Sequence, residues 1–278
     1  MLKLYDIVAS KEDIKEITKE VVKDLYLPKE NTHKGENGKV LVIGGSKEYF
    51  GAPILVGMAA LKIVDWTSVL SVEEVINKIY HPEIIPYSVS GDYISKKHMK
   101  YVLNVAEKHD VVVIGNGLGA NSITYKFINE FLSKYKGKVV IDADALKVLD
   151  IEKFIPNSNI IMTPNANEYK YLENHIKKLL DKGVVIVVKG KEDIVLHKEK
   201  IRINRTGNAG MTKGGTGDVL SGIIGALFTR NDAFLSACAG AYINGYIGDM
   251  LYKEKGYYYT PLDIIEKLPY ALKELILK

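Results

Sequence analysis

Apolar positions along the chain follow two periods. Residues 40–43, 111–114, 139–141, 160–162 and 184–188 are short unbroken runs rich in Val and Ile, the pattern of strands buried on both faces. Each run stops at a glycine pair, an aspartate, a Thr-Pro pair or a Lys-Gly pair. Between them lie stretches of helical period. Ile14, Ile17, Val21, Val22 and Leu25 predict an amphipathic helix over residues 10–27, closed by Pro28. Helices are also predicted from Pro53 through Val64, over 95–108, 121–135 and 232–252, and after Thr260-Pro261. Residues 194–197 and 201–204 read as a hairpin around 198–200. Strands that alternate with helices and break repeatedly at glycine imply an α/β fold. The sheet is mostly parallel and covered on both faces in one domain, with ligands at the strands' carboxyl ends. No repeat, low-complexity tract or linker interrupts the order.

Composition changes this picture little. The chain has 278 residues, 47% hydrophobic and 26% charged, with a net charge of +4. Lys and Glu alternate along helices rather than forming basic blocks, which argues against nucleic acid and suits small anions. No apolar run reaches spanning length and the first residues lack a signal segment, so no membrane role and a cytoplasmic location are expected. The single cysteine, Cys238, sits in a run of small residues and reads as a buried hydrophobe. The absence of glutamine beside abundant Lys, Glu, Ile and Tyr leans towards a thermophilic source.

The chemistry concentrates in Gly207-Asn208-Ala209-Gly210-Met211-Thr212-Lys213-Gly214-Gly215-Thr216-Gly217-Asp218, which runs into the apolar helix 219–227. Glycines let backbone N–H groups turn inward, and the helix start adds its unpaired donors and positive dipole end, so the segment seats an anion such as phosphate. A carboxylate in that seat is out of place unless it caps the helix or removes a proton from a hydroxyl attacking a phosphoryl group. Lys213 is either electrostatic help or a solvated lysine. No Walker P-loop or G-x-G-x-x-G is present. The acids Asp142 and Asp144 close the run 139–141; both point one way if the strand continues. They either hold Mg²⁺ through water or serve as a cap and a loop carboxylate.

This loop resembles the C-terminal anion hole of the ribokinase-like superfamily. More narrowly, Gly-Asn-Ala-Gly-Met followed by Lys-Gly-Gly-Thr-Gly-Asp-Val-Leu-Ser-Gly resembles the ADP/ATP-dependent NAD(P)H-hydrate dehydratases. So do His33-Lys34-Gly35 with 39–46 and Tyr49 to Pro53, Val140-Ile141-Asp142-Ala143-Asp144-Ala145-Leu146, and Gly115-Asn116-Gly117-Leu118-Gly119, where the family has G-P-G-L-G. Thr163-Pro164-Asn165 has Asn165 where the family commonly has histidine, so that position is expected to bind substrate without transferring protons. Residues 64–68 replace a Gly-Ala-Gly-type turn.

The resemblance implies a ribokinase-like three-layer α/β/α sandwich over residues 30–278, preceded by an N-terminal helical extension over 1–29. It implies repair of damaged nicotinamide nucleotides: ADP-dependent dehydration of the (6S)-hydrate of NADH or NADPH, releasing AMP and phosphate, with Mg²⁺ sharing the phosphoryl charge. Asp218 would be the base. Ala52, Gly117, Gly119, Asn165 and Asp218 would meet the hydrate. Lys189, Gly190, Lys191, Glu192, Asp193, Gly215, Thr216 and Gly217 would hold the nucleotide, with Asp144 and Glu168 as metal candidates through water. A homo-oligomer is expected. A separate epimerase is also expected to act alongside, because only about 30 residues precede the motifs, too few for the fused epimerase domain of many members. Two rivals share the loop. A vitamin-precursor kinase would release a stable phosphoester, and a nucleotide-binding regulator would not need Asp218.

Overall fold

The β-branched runs become the core of one sheet. In the computed structural model, which describes residues 14–198 and 200–277, the strands are β1 (Ile14–Glu16), β2 (Lys39–Ile43), β3 (Trp66–Val72), β4 (Ile84–Val89), β5 (Val111–Ile114), β6 (Lys138–Ile141), β7 (Ile160–Met162), β8 (Val185–Val188), β9 (Asp193–His197) and β10 (Lys200–Asn204). They form a ten-stranded sheet in the order β1-β10-β9-β8-β7-β6-β5-β2-β3-β4. Among the described residues only β9 runs against its neighbours; the other pairings are parallel. The strand order reverses between β2 and β5, which pair directly. That reversal opens a crevice outside their carboxyl ends.

The helices are α1 (Gly51–Leu61), α2 (Glu73–Ile76), α3 (Met99–Ala106), α4 (Ser122–Lys134), α5 (Asp144–Val148), α6 (Ala166–Tyr169), α7 (Ile176–Asp181), α8 (Thr216–Phe228), α9 (Ala233–Lys255) and α10 (Pro261–Ile276). Successive strand residues point to opposite faces. Leu41, Ile43, Val112, Ile114, Val139 and Ile141 therefore pack with Val102, Phe127 and Phe131 of α3 and α4. Val40, Val42, Val111, Val113 and Val140 pack with Val56, Leu220 and Ile224 of α1 and α8. A further apolar layer joins α8, α9 and α10 through Ile223, Ile243, Ile247, Ile264 and Leu268. The result is the helix–sheet–helix sandwich expected. Cys238 is buried, as its small-residue surroundings implied. Among the described residues no helix is long and apolar enough to cross a membrane.

The N-terminal reading needs correction. Residues 10–13 lie outside the described residues, and those that follow do not form the predicted amphipathic helix. Ile14–Glu16 adds a parallel edge strand to β10, continued by Ile17 N donating to Ile203 O at 2.8 Å. Lys19–Asp24 is then a 3-10 helix that buries Val22. β-Branched residues at 14, 17, 21 and 22 weaken a continuous helix. An open sheet edge offers their backbone an alternative set of hydrogen bonds. The hairpin forms as predicted from β9 and β10; Glu199 at its tip lies outside the described residues.

Candidate active site

Helix α8 starts in the crevice at the carboxyl ends of the strands. Its N-cap is Gly215, at φ 98, a left-handed conformation that glycine adopts at little cost. Asp218 lies in the first turn but does not cap it: no side chain caps this helix. Instead Asp218 Oδ1 accepts a hydrogen bond from Asn116 Nδ2 at 2.7 Å. The same nitrogen lies 3.0 Å from Asp142 Oδ2 and 3.3 Å from Ser221 Oγ. On its other oxygen, Asp142 meets Lys189 Nζ at 2.8 Å. Loops after β5, β6 and β8 and the start of α8 thus converge on one linked chain of polar side chains: Lys189, Asp142, Asn116, Asp218.

The surroundings of Asp218 shift its carboxyl strongly. Burial pushes its carboxyl up to about 6; the Asn116 hydrogen bond and the Lys189 charge pull it down, while the Asp142 and Glu168 carboxylates push it up. A carboxyl of that strength is ionised at neutral pH yet ready to take a proton. Burial, the largest single influence, disfavours the charge on Lys189, but Asp142 together with Glu168 and Asp218 outweighs it and raises the lysine above its ordinary value, so it remains a cation.

Two cavities are lined by consecutive residues of this helix start. One, of about 640 Å³, is lined by Lys189, Gly190, Lys191, Glu192 and Asp193 together with Thr216 and Gly217. The other, of about 570 Å³, is lined by Ala52, Gly117, Gly119, Asp144 and Asp218. Gly217 faces the first and Asp218 the second, with Lys189 beside them: a Cβ on Gly217 would lie 3.3 Å from Lys189 Nζ. A third cavity, of about 500 Å³, lies at the far end of α8 around Leu227, Leu272 and Ile276 and has no acidic side chain in its lining.

Most of the residues singled out in the sequence therefore come together, but with altered duties. Asp193 Oδ1 accepts from Gly190 N at 3.1 Å and so closes its own turn. Glu192 pairs with Arg205 at 2.9 Å on the rim. Asn165 lines neither cavity. It caps α6, accepting from Asn167 N at 2.9 Å and Glu168 N at 3.0 Å, while Glu168 accepts from Asn165 N at 3.0 Å. Lys213 turns away from the anion seat to donate to the Tyr257 carbonyl, lying 5.3 Å over the Tyr259 ring.

Asp142 and Asp144 do not point one way, because the chain turns at Ala143, φ 50, just past the end of β6. Asp144 accepts from Gly119 N at 2.9 Å and pairs with Lys147 at 2.9 Å. With those oxygens engaged and Glu168 in its capping box, neither metal candidate offers a ready cage. Among the described residues no group of three or more His, Cys, Asp or Glu gathers to hold a metal ion.

Several supports were not apparent in the sequence. Asp249 accepts from Gly207 N at 2.9 Å and Asn208 Nδ2 at 3.1 Å, and Asn208 Oδ1 accepts from Gly210 N at 3.0 Å and Tyr259 OH at 2.7 Å. This network sets the glycine loop. Tyr259 is fully buried, unlike Tyr258, which is 89% exposed. The consecutive tyrosines Tyr257, Tyr258 and Tyr259 therefore divide between surface and loop support. In the sequence Asn116 stands out only as a member of a loop motif and Asp142 only as a metal or capping carboxylate, although a polar residue within two positions of a buried strand's carboxyl end is a usable signal.

Comparison with known proteins follows the same lines. A family model described as NAD(P)H-hydrate dehydratase matches residues 40–270. The chain is 61% identical over 243 residues to the bifunctional NAD(P)H-hydrate repair enzyme Nnr of Methanocaldococcus jannaschii, covering 87% of this chain and 50% of the relative. It thus spans about half the length of the curated relatives it matches. A ribokinase-like superfamily protein from Enterococcus faecalis superposes with a TM-score of 0.84 at 24% identity, covering 97% of this chain and 99% of the other. The ADP/ATP-dependent NAD(P)H-hydrate dehydratase of Bacillus subtilis, co-crystallised with ATP/Mg²⁺, superposes with a TM-score of 0.76 at 22% identity over 94% of this chain and 98% of the other. At these identities the superpositions establish the ribokinase-like fold.

Proposed function

Since the chain belongs to the NAD(P)H-hydrate dehydratase family, we propose that it restores hydrated NADH or NADPH with ADP as phosphoryl donor. The observation that carries this reading is that consecutive residues at one helix start serve two cavities, Gly217 lining one and Asp218 the other. The nucleotide occupies the cavity of Lys189 to Asp193, its terminal phosphoryl against Gly217 and Lys189. The hydrate occupies the cavity of Ala52, Gly117 and Gly119, its ring hydroxyl beside Asp218. As the hydroxyl oxygen bonds to phosphorus, its proton passes to Asp218 and the bond to AMP breaks with its electrons leaving on AMP. The ring nitrogen's lone pair then expels phosphate, the ring C–O bond breaking with its electrons on the leaving oxygen, and a proton passes from the adjacent carbon to the released phosphate, its C–H electrons forming the ring double bond of the dihydropyridine; Asp218 returns its proton to water. Hydrate and ADP become NAD(P)H, AMP and phosphate. Positioning and fixed charge supply most of the rate in such transfers.

Mg²⁺ is commonly held by one or two carboxylates plus substrate phosphates, but the acids present here are already engaged by Lys189, Lys147 and backbone N–H groups. Among the described residues no protein cage for it forms. The relatives named as bifunctional repair enzymes support a second activity on the same substrate. An epimerising partner, separate or joined to this chain, would supply the epimer that this site consumes.

Purified protein should be incubated with hydrated NADH and either ADP or ATP, following dihydropyridine absorbance and free phosphate together. Equal growth of both signals, faster with ADP, is expected. A stable phosphoester without restored absorbance would mark a small-molecule kinase instead, and no turnover with either nucleotide would mark a regulator.

A further inference from the structure

We infer that Asn116 is the positioning residue for the base: its side-chain amide, fixed at the reversal point of the sheet, holds the Asp218 carboxylate and ties it to the Asp142–Lys189 pair. This rests on the reading of Asp218 given above. The amide is fully buried, and its backbone is locked where β2 and β5 meet. Gly45 N donates to Asn116 O at 2.8 Å, and Gly115 N donates to Ile43 O at 3.2 Å. The neighbouring Gly115 sits at φ 126, where a Cβ would lie 1.9 Å from Asp142 O. The loop therefore passes as close to Asp142 as backbone can.

The amide's orientation follows from charge. Its nitrogen faces Asp218, Asp142 and Ser221; reversed, its oxygen would face two carboxylates. Its own Oδ1 is buried with no hydrogen-bond partner among the described residues. The G-P-G-L-G pattern that this loop resembles has proline here and so no donor, which makes the contact a feature of this chain rather than a requirement of the loop. The charged groups facing Asp218 are Asp142, Glu168 and Lys189. Without the Asn116 donor, Asp218 faces two acids and one cation, so its ionised form is less favoured and its carboxyl rises. The base must be ionised to act, so the acidic limb of the rate profile moves to higher pH.

The test reads Asp218 directly, without substrate or nucleotide. Carboxyl-carbon NMR of aspartate-labelled protein, assigned with Asp218→Asn, follows its titration in the parent, in Asn116→Ala and in Asn116→Pro, the variant closest to the family pattern. Asp218 is expected to titrate about one pH unit higher in each variant, and the acidic limb of kcat/KM is expected to move with it. In the parent, the Asn116 side-chain amide signals are expected to shift with the same midpoint as Asp218, which tests the contact even if a variant fails to fold. Unchanged titration in a folded variant, or amide signals flat across the Asp218 midpoint, overturns the inference. Absence of hydrate turnover alongside the expected titration would instead count against the proposed function and leave the positioning role standing.

Discussion

Lys189 Nζ lies 2.8 Å from Asp142 Oδ1, joining the ends of β8 and β6 beneath the start of α8. The pair does two jobs: it neutralises a carboxylate that is 1% exposed, and it keeps a cation next to Gly217. Lys189→Met should cost stability because it strands Asp142, typically by about 3–5 kcal/mol. Adding Asp142→Asn should recover most of that in a denaturant titration. Nucleotide affinity by calorimetry should stay low in both. Restored affinity in the double variant would show that the lysine serves folding alone.

Gly217→Val probes the seat itself. The added Cβ would lie 3.3 Å from Lys189 Nζ, and the branched methyls would enter the space assigned to the phosphoryl group. Nucleotide binding and turnover should fall together. A variant that binds ADP normally would place the phosphates elsewhere.

Asn165 tests how far a motif position can change duty. As the N-cap of α6, its loss in Asn165→Ala should cost about 1 kcal/mol of stability and leave the KM for the hydrate unchanged. A raised KM with unchanged stability would mean that its free amide reaches the substrate, as the sequence pattern first suggested.

Asp218 links stability to pH. Its carboxyl is raised from 3.8 to about 6, so the stability it contributes is fully present below the unfolded value and lost as pH rises through about 6. Holding it ionised at neutral pH costs about 3 kcal/mol. Asp218→Asn should therefore be more stable than the parent at neutral pH by up to about 3 kcal/mol, with the gap closing towards about pH 4. Equal stability across that range in matched denaturant titrations would mean that the carboxyl is not strained by its surroundings.

The sheet and the glycine loop were legible because each is written in contiguous residues: unbroken Val and Ile runs, and glycines ahead of an apolar helix. The N-terminal segment misled because the spacing of Ile14, Ile17, Val21, Val22 and Leu25 suits an edge strand followed by a 3-10 turn as well as it suits a helix. Asp142 and Asp144 misled because one positive φ at Ala143 separates them, and no local pattern announces it. Asn116, Asp249 and Tyr259 went unseen for a different reason. Each acts on a partner brought to it by the fold, in the case of Asn116 and Asp218 across 102 positions of chain.

The base assignment is tested most directly by single-turnover kinetics of Asp218→Asn with hydrated NADH and ADP, beside calorimetric titration of ADP. Asparagine keeps the size and an acceptor for Asn116 but cannot take a proton. The account predicts a loss of at least about a hundredfold in the rate of dihydropyridine formation, with ADP affinity unchanged or improved as charge repulsion is relieved. A variant nearly as fast as the parent would contradict it, because Asp218 would then take no part in moving the proton.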